Sequence, residues 1–71
     1  MHAADDVYLG RVVSKDHKYY VLHNAVVLDW YGVDARLEAA WAPEDLKIGD
    51  MVHFTVQESG SFLIVNWVEK N

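Results

Sequence analysis

The chain has 71 residues, a formal net charge of −5, 52% hydrophobic residues, three Trp, four Tyr and two Phe, and no cysteine. That length is one small domain, which buries only roughly 60% of the surface its unfolded chain exposes. The missing cysteines exclude disulfide staples, Cys-type zinc sites and thiol nucleophiles, so apolar and aromatic packing must hold the fold. One proline and four glycines argue against disorder, and no window approaches the roughly 18 apolar residues of a membrane span. The acidic excess weighs against a general phosphate-backbone binder.

In chain order, Met1 to Asp6 reads as a flexible polar arm, lacking the basic start and apolar stretch of a signal peptide; a mature exported protein would look the same. The single domain spans residues 7–68, and residues 69–71 read as a frayed polar tail. Within the domain, apolar residues come in short bursts bounded by turn residues, the signature of strands. Val7 to Ser14 is the first strand, Lys15-Asp16-His17-Lys18 a turn, and Tyr19 to His23 the second strand of a hairpin. Asn24 to Asp34 is a longer connection with room for one helical turn.

Ala35 to Trp41 reads two ways. Its Ala, Leu and Glu favour a helix ended by Pro43, whereas a strand would place Ala35, Leu37, Ala39 and Trp41 on one face. The strand reading supplies the central member that a barrel with two hairpins needs. In the next connection Leu46 and Ile48 are expected to plug one barrel end. Met51 to Gln57 alternates, with Val52, Phe54 and Val56 on one face and Met51, His53, Thr55 and Gln57 on the other. After the turn Glu58-Ser59-Gly60-Ser61, Phe62 to Val68 is apolar on both faces, which predicts burial on two sides at the closing seam of a small barrel. The fold expected is all-β: a small five-stranded antiparallel OB-like barrel.

Three segments sharpen this: Gly10-Arg11-Val12-Val13, Tyr19-Tyr20-Val21-Leu22-His23, and Leu46-Lys47-Ile48-Gly49-Asp50-Met51-Val52-His53-Phe54. In that order and spacing the chain resembles the small periplasmic copper- and silver-binding chaperones of heavy-metal efflux systems, from about Val7 to Val68. The resemblance implies an OB-like barrel, a Cu(I) or Ag(I) ligand, a metal-efflux partner and a periplasmic location; without it, the location expected is cytoplasmic. That family binds its ion with a histidine, two methionines and a tryptophan whose ring covers the metal. Soft thioethers and imidazole suit a monovalent soft ion, and an indole face attracts a cation. His23 looks like the family histidine and Trp30 like the tryptophan. At the two methionine positions this chain has Val33 and Ala35, so the ligand set is incomplete.

Each candidate residue also has a plainer reading. His23 can be an ordinary strand-end histidine. Trp30 and Tyr31 either cap an open barrel end or form a partner-binding platform, since such aromatics are preferred interface anchors. Trp41 and Trp67 read as core or barrel rim. Met51 and His53 share an outward face that could hold a soft metal weakly, or is simply solvated. Ser59 and Ser61 lack a nucleophile elbow and no phosphate-cradling glycine loop is present, so the chain reads as non-catalytic.

Two further function classes stand beside the metal chaperone. One is a protein-interaction module using Trp30 and Tyr31 on an acidic body, as a monomer or weak oligomer. The other is a single-strand binder. Residues 1–36 hold four basic and five acidic side chains, against two and six in residues 37–71. Arg11, Lys15, Lys18 and Arg36 therefore gather with Tyr19, Tyr20 and Trp30 where OB barrels bind single strands. Four cations spread among five carboxylates make a poor electrostatic funnel, however, which weighs against nucleic acid.

Overall fold

A computed structural model describes residues 6–71. The arm read over residues 1–6 thus lies, apart from Asp6, outside the described residues. The strands are β1 (Tyr8–Lys15), β2 (Tyr19–His23), β3 (Ala35–Glu38), β4 (Met51–Ser59) and β5 (Phe62–Lys70), with one helix, α1 (Ala25–Tyr31), between β2 and β3. The sheet closes on itself in the order β1-β2-β3-β5-β4. Four of the five pairings are antiparallel, but β3 and β5 run parallel, meeting at Arg36 and Ile64. This corrects the purely antiparallel expectation. A ring with an odd number of strands cannot alternate direction all the way round, so one seam must be parallel.

Each element follows from local chemistry. In the first hairpin, Asp16 folds its carboxylate back to accept from the backbone N–H groups of Lys18 and Tyr19, both at 2.8 Å, as aspartate does in turns. Asn24 caps α1: its Oδ1 accepts from Val27 N–H at 2.9 Å, while its Nδ2 donates to the Leu9 carbonyl at 2.9 Å. Such a cap is worth about 1 kcal/mol, and here it also ties the helix to β1. Gly32 ends the helix in the left-handed region, φ 80°, and its N–H bonds back to Leu28. The connection of residues 24–34 thus holds two helical turns rather than one. Over residues 35–41 the strand reading holds for Ala35–Glu38, after which Ala39–Trp41 forms a 3-10 turn.

The interior is filled from every strand: Val12, Leu22, Leu37, Val52, Phe54 and Leu63 are almost wholly buried. The alternation read in β4 is observed, with Val52, Phe54 and Val56 inward. The Gly49-Asp50 pair continues that strand's pairing with β1, since Val12 N–H donates to Asp50 O at 2.9 Å and Gly49 N–H to Val12 O at 2.7 Å. Leu46 plugs the barrel end as expected, and its carbonyl accepts from the Tyr20 hydroxyl at 3.3 Å.

Three expectations are corrected. Ile48 is 63% exposed, because it sits at the tip of a turn closed by Asp50 N–H to Lys47 O and by Lys47 N–H to the Asp50 carboxylate. The second face of β5 is not covered: Leu63 and Val65 are buried, while Phe62 and Trp67 are exposed. Strict alternation would send Trp67 inward after Val65. A bulge there instead sets Val65 opposite Val56 and Trp67 opposite Thr55, which turns Trp67 outward. Third, the tail does not fray. Glu69 and Lys70 belong to β5, Asn71 N–H donates to Met51 O at 3.0 Å, and Lys70 Nζ reaches Asp45 Oδ2 at 3.1 Å and Asp50 Oδ2 at 3.3 Å.

Candidate functional site

The residues singled out from the sequence fall in three places. His23 ends β2, and its Nδ1 lies 2.8 Å from Asp34 Oδ1 in a part-buried hydrogen bond. Trp30 lies in the last turn of α1, half exposed, and lines a shallow hollow whose far wall is Gly60, Ser61 and Phe62 rather than His23. Val33 is exposed in the loop after α1, whereas Ala35 is fully buried. A side chain at position 35 therefore points into the barrel. Met51 and His53 share the outer face of β4, as read, opposite Arg11 and Leu9 of β1. Among the described residues no three His, Cys, Asp or Glu side chains converge.

Tyr31 is not an exposed platform residue beside Trp30. It is half-buried and packs against the core. Tyr31, about 100° further round the helix than Trp30, turns toward the barrel. Tyr8 is buried beneath it; burial first, then the neighbouring Tyr31 and Asp6, push the Tyr8 hydroxyl above its ordinary range. Tyr20 likewise faces inward, while Tyr19 faces out. Period-two alternation splits the Tyr19-Tyr20 pair between core and surface.

The exposed aromatics gather around one residue the sequence reading passed over. Phe62 opens β5 directly after the Gly60 turn, and its ring stacks against Tyr19 of β2 with centroids 6.5 Å apart at 25°. Between these strands lies β3, which presents Arg36. The guanidinium carbon sits 4.5 Å from the Phe62 centroid and 5.6 Å from that of Tyr19. Phe62 also lines three hollows on this side. One holds Trp30, one Val21 and Arg36, and the largest, a groove of about 570 Å³, holds Tyr19, Trp41 and Trp67. A track of four further aromatic side chains thus adjoins Phe62, with an arginine lying over its centre.

The groove exists because of the parallel seam. β3 and β5 meet only at Arg36 and Ile64. Beyond that point β3 gives way to the 3-10 turn bearing Trp41, while β5 continues along β4. The strands part, and Trp41 and Trp67 stand on the edges of the gap, Trp41 at 77% exposure. Trp41, expected in the core or at the barrel rim, stands at the rim and projects into solvent.

Charge around this face is mixed. Arg36 and the hairpin residue Lys18 supply cations, and Glu38 and Asp16 oppose them. The Asp16 carboxyl is held below the ordinary range, by the Tyr19 N–H first and then the Lys18 N–H. A sequence signal for Phe62 exists in hindsight: it has the opposite parity to Leu63 and Val65 and follows the turn, so one face of β5 had to carry it outward. No family model, curated protein or solved structure significantly matches the chain.

Proposed function

We propose that this domain is a non-catalytic, OB-like binding module that holds single-stranded nucleic acid on the face formed by β2, β3 and the start of β5. The observation that carries this reading is the Tyr19–Arg36–Phe62 cluster, in which an arginine lies over two roughly parallel, surface-facing rings contributed by three strands. OB-type barrels take oligonucleotides on the face of their second and third strands and in the loops between strands one and two and strands four and five. The cluster occupies that location: Tyr19 follows the first hairpin turn, Arg36 lies on β3, and Phe62 follows the β4–β5 turn. Bases stack on such rings irrespective of sequence, and Arg36 offers a cation to the phosphates.

The net charge of −5 sets the character of the complex. Few cations face the strand, so stacking supplies most of the affinity and salt weakens it only modestly. For single strands log K falls with log salt at about 0.7 per phosphate neutralised, so two contacts, from Arg36 and Lys18, give a slope of about −1.4. The copper and silver reading gains less support, because the positions of the two thioethers are Val33 and Ala35, whose side chains carry no donor atom. A protein partner on Trp30 and Tyr31 is likewise less supported, because Tyr31 is packed on the core.

The test is fluorescence anisotropy of a short labelled single strand at low salt. Phe62→Ala and Tyr19→Ala should each weaken binding by roughly 5- to 150-fold, the range for loss of one base–aromatic stack. Absence of binding by the unaltered domain, or full affinity in Phe62→Ala, refutes the reading.

A further inference from the structure

We infer that the groove between Trp41 and Trp67 is a base-reading subsite that selects guanine. This rests on the single-strand reading and adds a sequence preference to it. The groove volume, about 570 Å³, falls within the range of sites for small planar ligands. Its polar atoms are oriented by a chain of hydrogen bonds along the outer face of β4 and β5. The Thr55 hydroxyl donates to Asn66 Oδ1, and Asn66 Nδ2 donates to Gln57 Oε1 at 3.3 Å. In the first contact the hydroxyl gives the hydrogen and Asn66 Oδ1 accepts. That fixes the Asn66 amide, which fixes the Gln57 amide in turn: Oε1 is occupied and Nε2 is left to donate outward.

Glu38 lines the same groove, at the end of β3. Among the described residues no hydrogen bond or ion pair engages its carboxylate, nor the Gln57 Nε2. The groove therefore offers an unpaired carboxylate and an oriented amide donor beside exposed indole and phenyl rings. A carboxylate on a nucleic-acid face repels phosphate, so it favours binding only if it meets base N–H groups. Guanine is the base that matches. Its Watson–Crick edge carries two adjacent N–H donors, N1 and N2, for the two carboxylate oxygens, with the acceptor O6 beside them for the amide. Adenine, cytosine and uracil each present a single N–H to that edge. Paired charge-assisted bonds are stronger and more directional than one.

The test uses short uracil strands, all-U or with one central guanine or inosine, titrated by anisotropy against the full chain. The guanine strand should bind tighter than all-U by roughly 5- to 150-fold, the discrimination of one good bidentate base contact. Inosine, which lacks the N2 amine, should lose most of that gain. Glu38→Gln should abolish the guanine preference while all-U affinity holds or rises, because a negative charge is removed. Gln57→Leu should reduce the preference and leave all-U binding intact. If all-U binds in a Phe62-dependent way but guanine gives no gain, or if Glu38→Gln keeps the gain, the subsite is refuted and the stacking face stands. If no strand binds, both fall.

Discussion

Of the four glycines, Gly10 is the one with no room for a side chain. It lies in β1 opposite Val52 of β4, and a Cβ added there would sit 2.5 Å from the His23 carbonyl oxygen and 2.7 Å from Phe54 Cε1. Ordinary contact begins at about 3.4 Å, so relief needs nearly 1 Å of movement by a strand backbone and by the largest fully buried side chain of the core. Neither is a flexible side-chain end. Overpacking a core by one group costs about 1–3 kcal/mol, and two simultaneous clashes place Gly10→Ala at the upper end, about 3 kcal/mol. A domain of this size has roughly 4–10 kcal/mol in all, and each kcal/mol moves its midpoint by about 4–8 °C. The expected fall in Tm is therefore about 12–24 °C by circular dichroism, with a lower urea midpoint. Gly32→Ala is the control: its φ of 80° strains an alanine, but nothing lies within 4 Å of the new methyl, so about 1 kcal/mol is expected. If Gly10→Ala melts within about 3 °C of the parent, or above Gly32→Ala, the close approach of β1 to β2 is wrong.

Two further outcomes follow, one from the connection of residues 42–50 and one from the turn carboxylates Asp16, Asp45 and Asp50. Leu46→Ala should cost about 2–4 kcal/mol as an emptied plug, while Ile48→Ser should stay within about 0.5 kcal/mol; equal losses in urea melts would show that Ile48 is packed. The carboxyls of Asp16, Asp45 and Asp50 are held below their ordinary range. The Tyr19 N–H is the main cause for Asp16, the Lys70 hydrogen bond for Asp45 and the Lys47 N–H for Asp50. A folded pKa below the unfolded value, about 3.9, adds stability above that pH and loses it as pH falls through the folded pKa. Tm should hold between pH 7 and 5 and drop below about pH 4, less steeply in Asp16→Asn. A flat profile down to pH 2.5 would contradict these contacts.

Much of the fold is legible in the chain because burial on one face imposes a period. Val52, Phe54 and Val56 announce β4, and the apolar bursts flanked by Lys15–Lys18 and Glu58–Ser61 mark both hairpins. Tyr19 and Tyr20 are a harder pair, since identical neighbours reveal no inward side. Ile48 misleads for a related reason: hydrophobicity marks it for the core, yet its place at a turn tip takes it out. Trp67 misleads more deeply, because a one-residue bulge reverses the alternation and leaves no mark in composition.

The sequence alone determined a cysteine-free, acidic, strand-rich chain, since composition, charge and local period are properties of the chain read in order. Tertiary structure decided where the aromatics meet. Tyr19, Arg36 and Phe62 are far apart in the chain, and only closing five strands into a ring puts β3 between β2 and β5. The same closure forces one parallel seam, and the seam's short pairing opens the groove beside Trp41 and Trp67. Neither feature has a local signal, because both arise from strand direction around the ring.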